Sequence, residues 1–273
     1  MNHPDQLIHD HLGIWWKATP SLADKAIGTF SEPRSLKDIR IAEEALCQQG
    51  CTHAVAPMEG TTWKRHRAVI QSDGSPPFLL EPLTPPATAE LLQHSGYQIL
   101  ARYSSSTVDL IREQPNLGNL KSRLGEVSIR PLNLLDLEGE LRAIYRLSTR
   151  AFLDNFLYHP ICESDFLTQY LSLTSHLTPE CAYLAHRDDG LVGYVFGYPS
   201  DDRFVVKTLA VLPERRLAGL GTLLVDHMQK AAQAAGFETA IHALQRDDNP
   251  SLRISRRFRG KIFRRYALFS KEL

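Results

Sequence analysis

The chain has 273 residues, 43% of them apolar, and its 31 basic and 31 acidic side chains cancel formally. That is enough apolar material for one large domain or two modest ones, and the charge balance argues against nucleic acid or an anionic membrane as partner. No stretch of about eighteen apolar residues occurs and the amino terminus lacks a basic region followed by an apolar one, so neither a membrane span nor a secretory signal is expected.

His3, His9 and His11 near the amino terminus have a spacing that suits neither one helix face nor one strand face, so they read as part of a polar terminus rather than a metal site. "SLKDIRIAEEALCQQG" predicts an amphipathic helix capped by Ser35 and stopped by Gly50, and "THAVAPM" predicts a strand. Cys47 and Cys51 lie four apart without a second Cys/His pair at finger spacing, so no zinc is expected, and Cys162 and Cys181 complete a set that suits the reducing cytoplasm. "QSDGSPPFLLEPLTPPAT" is too rich in proline for a helix interior or a central strand. "TAELLQHSGYQILARYSSS" reads as a helix, a glycine stop and a strand. "REQPNLGNLKSRLG" looks like an inter-domain linker and places a boundary near Leu124, giving domains 1–124 and 125–273.

Beyond it, "EVSIRPL" is a short alternating strand. "LEGELRAIYRLSTRAFL" repeats its apolar residues at helical spacing, and "ESDFLTQYLSLTSHL" predicts a second helix started by Glu163, Ser164 and Asp165. "CAYLAHR" and "LVGYVFGYP" are strands joined by the turn Asp188-Asp189-Gly190. "RFVVKTLAVLP" is a longer strand ended by Pro213, and "GLGTLLVDHMQKAAQAAG" a helix stopped by Gly236. "TAIHALQ" is a strand, "NPSLRISRRF" a helix capped by Asn249 with Pro250 at its first position, and "KIFRRYALFSKEL" a last strand. The order is β-α-α-β-β-β-α-β-α-β. The last part of that order recurs in the first half as helix–strand–helix–strand, which suggests a topological repeat.

One junction carries chemistry. In "LAVLPERRLAGLGTLLVDHM" a strand ends at Pro213 and a helix begins near Gly219. Glycines let a backbone approach a ligand closely, and a helix start offers unpaired N–H groups and a positive dipole end. Together with Arg215 and Arg216 they predict a phosphate or pyrophosphate receptor. A dinucleotide fingerprint fails because no third glycine follows and "TAIHALQ" ends without an acid. A Walker motif fails because no lysine stands between Gly221 and Thr222. The basic run "RISRRFRGKIFRR" reads either as a solvated face or as a patch for a phosphorylated ligand.

Val211-x-Pro213-Glu214-x-Arg216-x-x-Gly219-x-Gly221 resembles the coenzyme A signature of the GNAT N-acetyltransferases, and "DDNPSL" resembles the asparagine-led helix of that fold. The resemblance covers roughly Glu126 to Leu273. It implies a mixed, mostly antiparallel α/β sheet flanked by helices, with a second, smaller α/β domain of related topology. It implies acetyl-CoA as acyl donor, no metal, and direct attack by an amine on the thioester. Leu209, Ala210 and Val211 would face the pantetheine arm. Arg216, Leu217, Ala218, Gly219, Leu220, Gly221 and Thr222 would wrap the pyrophosphate. Asn249 would touch the pantetheine or cap its helix. The tyrosine acid that often follows the asparagine by seven residues is replaced by Arg256, next to Ser255, which puts that role in doubt. Tyr266 reads as a packing residue.

The sequence leaves the base open among Asp154, Glu163, Asp165 and Asp201, and His242 reads as a core histidine before a catalytic one. The family's acceptor region corresponds here to "AFLDNFLYHPICESDF", where Asn155, Phe156 and Tyr158 are candidates for the acceptor pocket. Trp63 and Arg67 in the first half are candidates to reach the acceptor, with an anchoring role for Trp63 as the alternative. The first half looks like a degenerate GNAT unit that lacks R-x-x-G-x-G and is not expected to bind coenzyme A in that manner. The expected activity is acetyl transfer to a small-molecule amine, and a homodimer is compatible with it. A non-catalytic acyl-CoA sensor and a protein or peptide acetyltransferase are the alternatives.

Overall fold

The computed structural model describes residues 5–9, 12–17, 25–172, 174–188 and 190–273, and of residues 5–9, 16, 17 and 176 the backbone only. The side chains of His3, His9 and His11 therefore lie outside the described residues, as does Asp189 of the expected turn. The chain forms two compact units. The first comprises residues up to Ser104 with Asp154–His159 and Phe263–Leu273; the second comprises Ser105–Leu153 and Pro160–Ile262.

The first unit holds β1 (Asp5–His9), β2 (Ile14–Lys17), β3 (Ile27–Phe30), α1 (Leu36–Gln48), β4 (His53–Ala56), β5 (Ala68–Ser72), α2 (Pro86–His94) and the start of β6 (Gln98–Asp109). β1, β2 and β3 pair antiparallel in that order, and β3 pairs parallel with β4. The last residues of the chain pair antiparallel with both β4 and β5. α1 forms as its sequence predicts: Ser35 Oγ accepts the Asp38 N–H at 3.2 Å, and Ile39, Ala42 and Leu46 bury one face. That face packs with Phe30, Leu92, Tyr97 and Phe269. A buried polar network lies in the same unit. Arg264 donates to Glu81 at 2.5 Å, with 4% and 0% of their side chains exposed, and the Tyr266 hydroxyl donates to the same carboxylate.

The second unit holds the end of β6, α3 (Gly118–Leu124), β7 (Ser128–Pro131), α4 (Leu137–Ala151), α5 (Glu163–Leu171), β8 (Ala182–Arg187), β9 (Gly190–Ser200), β10 (Arg203–Val211), α6 (Leu220–Ala234), β11 (Thr239–Arg246), α7 (Pro250–Arg257) and the start of β12 (Lys261–Glu272). The element order from β7 onward is the one read from the sequence. β7, β8, β9 and β10 pair antiparallel in succession, while β10 and β11 pair parallel across the α6 crossover. Strand residues alternate between two helical layers. Tyr194 reaches Ser148 of α4 and Phe196 stacks edge-on with Tyr170 of α5, whereas Gly193 and Gly197 lie under Leu224 and Met228 of α6.

Two local expectations change. α5 stops at Leu171, six residues short of the expected end, because Ser172 and Thr174 hydroxyls take the carbonyls of Gln169 and Leu171 and compete with the next helical turn. The stretch read as a linker contains α3, and Leu124 lies inside it and inside the second unit. Leu117 and Leu124 are buried there, and Asn116 accepts the Gly118 N–H at 2.9 Å to start the helix.

Candidate functional site

β10 keeps its partner β9 along its whole length, from Arg203↔Ser200 to Val211↔Gly193. Its pairing with β11 runs only from Arg203↔Thr239 to Val206↔His242. Beyond that point the register of β10 shifts at Lys207, and β11 passes through a left-handed residue, Leu244, with φ 57°. The two strands part there. The Leu212 N–H donates to Val192 O of β9 at 3.0 Å. Successive N–H groups of a strand point to opposite sides. The N–H groups of Leu209 and Val211 therefore point away from β9, to the edge that β11 has left, and that of Ala210 points to β9.

The chain then turns through Arg215–Leu217 into α6. Gly219 stands at φ 102°, a conformation that favours glycine, and serves as N-cap without a side chain. The Thr222 and Leu223 N–H groups bond back to Gly219 O, at 3.0 and 3.3 Å, whereas those of Gly219, Leu220 and Gly221 have no backbone partner among the described residues. The buried side chains of Leu217, Leu220 and Thr222 anchor this turn, so its backbone is what it presents outward. A Cβ placed on Gly221 would stand 3.2 Å from Leu209 Cδ2 and 3.3 Å from Ile254 Cδ1, so the helix start packs closely between the strand edge and α7. α3 supports the turn from outside: Arg123 donates to Ala218 O at 2.7 Å, and Leu120 lies 2.9 Å from where a Gly219 Cβ would be. Sequence reading missed this support because the leucine spacing of α3 was masked by Pro115, Gly118 and Gly125.

Other candidates fall elsewhere. The Arg216 guanidinium binds Glu214 at 2.7 Å and approaches Asp188 at 3.8 Å. Asn249 accepts the Ser251 N–H at 2.9 Å, which is the capping role of the two expected for it. His242 is 3% exposed, and its Nε2 meets Gln229 of α6 at 2.6 Å. Burial pushes its pKa down to about 4, so it is neutral near pH 7. Glu163 is held by Arg142, and Asp154, Asp165 and Asp201 are exposed. Arg256 is exposed at the end of α7, while Ser255 beside it is buried.

Asn155, Phe156 and Tyr158 belong to the segment that folds with the first unit. There Trp63 Nε1 donates to His159 O at 3.0 Å and the Trp63 ring lies 6.0 Å from that of Tyr158, so Trp63 anchors this segment. Asn155 is exposed and Phe156 and Tyr158 are half-buried. Arg67 is 7% exposed, with its guanidinium 4.0 Å from the centre of the Tyr103 ring, and burial pushes its pKa down to about 10. Tyr266, fully buried on Glu81, is a packing residue of the first unit. Among the described residues no cluster of three or more His, Cys, Asp or Glu side chains could hold a metal ion, and no helix is long and apolar enough to cross a membrane.

Residues 141–260 match the acetyltransferase (GNAT) family. Among solved structures, the chain is similar to a GCN5-related N-acetyltransferase from Sphaerobacter thermophilus, at 15% identity and a TM-score of 0.57, over 95% of this chain and 76% of that one. It is also similar to a tandem GNAT protein from the clavulanic acid biosynthesis pathway, at 14% identity and a TM-score of 0.53, over 95% and 78% of the two chains. A glucosamine N-acetyltransferase region of a fungal multi-domain β-N-acetylglucosaminidase aligns at 14% identity and a TM-score of 0.58, over 94% of this chain and 31% of that one. At such identities the likeness is one of fold, and it extends beyond the family match to nearly the whole chain. Among curated protein sequences, none matches.

Proposed function

We propose that this chain, whose residues 141–260 match the acetyltransferase (GNAT) family, moves an acetyl group from acetyl-coenzyme A to an amine of a small molecule. One observation carries the reading: outward N–H groups of Leu209 and Val211 stand on a strand edge that β11 has left, beside a helix start whose first N–H groups are also open. An extended arm with amide groups fits the first feature, and a pyrophosphate fits the second. Gly221 is packed so closely on Leu209 and Ile254 that a larger side chain there would press on the strand edge and on α7.

Acetyl-CoA supplies an activated acyl group on a thiolate leaving group. The residues supply position and charge. Gly219, Leu220 and Gly221 N–H groups hold phosphate oxygens, with the dipole of α6 behind them. The Leu209 and Val211 N–H groups hold the arm and stabilise negative charge developing on the thioester oxygen. The amine nitrogen forms the new C–N bond as the C–S bond breaks; the amine gives up one proton, and the sulfur leaves as thiolate or takes up a proton. The exposed Arg256 and the low pKa of His242 both argue against a proton relay through either residue. The four free cysteines suit a reducing compartment, and we place the reaction in the cytoplasm.

The test is titration of coenzyme A into the chain and into Gly221→Val by calorimetry. The valine side chain would press on Leu209 and Ile254 and displace the strand edge beside the helix start, so we expect affinity to fall at least about a hundredfold while a cooperative thermal transition remains. Equal affinity in the two proteins would remove the coenzyme A assignment. Arg256 in place of the family's tyrosine favours a second reading, a non-catalytic acyl-CoA sensor. Release of free thiol that depends on an added amine, screened over an amine library, rejects it.

A further inference from the structure

The parting of β10 and β11 has a cost that something must offset. Two parallel strands that pair from Arg203↔Thr239 to Val206↔His242 would gain further backbone bonds by staying together. β11 instead turns away through Leu244 at φ 57°, a conformation that side chains other than glycine rarely adopt. On its far side β11 neighbours β6, and the two are bonded near one end by Leu110 N–H to Glu238 O at 2.8 Å. At the other end the Leu244 N–H meets a hydroxyl, Ser105 Oγ, at 3.0 Å. Ser105 has no solvent exposure. One residue further, Gln245 Nε2 donates to Ser251 O of α7 at 2.7 Å, which ties the departing strand to the helix beside Gly221.

We infer that Ser105 is a positioning residue for the acyl-donor slot: its buried hydroxyl captures the Leu244 N–H and so holds β11 in the left-handed kink that keeps it off β10. The hydroxyl favours the parted arrangement because it accepts the N–H that the left-handed residue turns towards it. When it is removed, the low-cost escape is for Leu244 to leave the left-handed region and for β11 to pair further along β10. That pairing consumes the Leu209 and Val211 N–H groups the donor needs. The affinity of the chain for coenzyme A then falls with the fraction of molecules that keep the slot open. The inference rests on the coenzyme A reading of the slot and adds the device that opens it.

The experiment is calorimetric titration of coenzyme A into the full chain, Ser105→Ala, and Ser105→Ala combined with Leu244→Gly, with thermal melts of each. Glycine adopts the kink without strain. Ser105→Ala is expected to weaken coenzyme A about tenfold. Adding Leu244→Gly is expected to restore most of that affinity without restoring the melting temperature. A role in stability alone predicts that the double variant binds no better than Ser105→Ala, and that result overturns the inference. Should Ser105→Ala fail to fold, Leu244→Val against Leu244→Gly gives the same reading with the serine in place. Valine, which resists positive φ, should weaken binding, and glycine should not. Unchanged affinity in Ser105→Ala, or in Leu244→Val, overturns the inference alone. A wild-type chain that binds no coenzyme A overturns the proposed function and this inference with it.

Discussion

His242 sits where the two strands part, and its burial there couples its titration to stability. Its ring is buried against Gln229 and Phe258, and burial lowers its pKa from 6.5 to about 4. The unfolded chain therefore binds a proton at this site between those two values, and the folded chain does not. Where the unfolded state binds more protons, stability rises with pH. The contribution is fully present above the unfolded value of 6.5 and is lost as pH falls through the window down to about 4. Going from about pH 7 to about pH 4.5, this one group should remove about 2 kcal/mol of stability. The perturbation is His242→Gln, which removes the titration and keeps a polar partner for Gln229. Urea denaturation at both pH values gives four free energies. The wild type should lose about 2 kcal/mol more than the variant across that interval. Equal losses would show that the imidazole titrates normally and would refute the burial argument. If His242 were the catalytic base, the variant would also abolish the proposed acetyl transfer near neutral pH; we expect that activity to persist.

Gly219→Ala forces a side chain into φ 102° and places its Cβ 2.9 Å from Leu120 and 3.1 Å from Arg123. We expect a loss of about 1–2 kcal/mol in a thermal or urea melt, with weaker coenzyme A binding measured by calorimetry. Glu81→Ala leaves Arg264 and the Tyr266 hydroxyl buried without their carboxylate. A cost of about 3–5 kcal/mol is expected in denaturant, and replacing Glu81 and Arg264 together by Leu and Met should cost clearly less.

Periodicity made most of the fold legible. The helical spacing of α1, α4 and α6 and the punctuation by Pro213, Gly236 and Pro250 gave elements close to those observed. The glycines at 219 and 221 were legible as a tight strand-to-helix turn because a left-handed N-cap and a close approach both require residues without a Cβ. What was hidden depends on contacts far apart in sequence. β1, β2, β3 and β5 are only four or five residues long and carry little period of their own. The last strand, β12, folds with the first unit from Phe263 onward because its pairing partners are β4 and β5, which the local pattern does not name. Asn155, Phe156 and Tyr158 looked like a pocket wall from composition, but Trp63, nearly a hundred residues earlier, decides where that segment packs.

Two β-α-β crossovers among the described residues differ in what they would offer the proposed phosphate. Both join parallel strands through a helix, β10-α6-β11 in the second unit and β3-α1-β4 in the first. In the second the ladder ends at Val206↔His242 and the helix begins on a glycine that leaves its first N–H groups open. In the first the ladder reaches Thr29↔Val55 and Met58 N–H then bonds to Phe30 O at 2.8 Å, so the strand edge stays occupied. The start of α1 is also satisfied from within: Ser35 takes the Asp38 N–H, and the Asp38 carboxylate takes the Arg34 N–H at 2.8 Å. An acid in that position already fills the anion-favouring end of the helix and repels a phosphate. The absence of R-x-x-G-x-G from the first half thus has a physical counterpart. The same topology is retained there with its strand edge bonded and its helix dipole neutralised, so the donor site we propose belongs to the second unit alone.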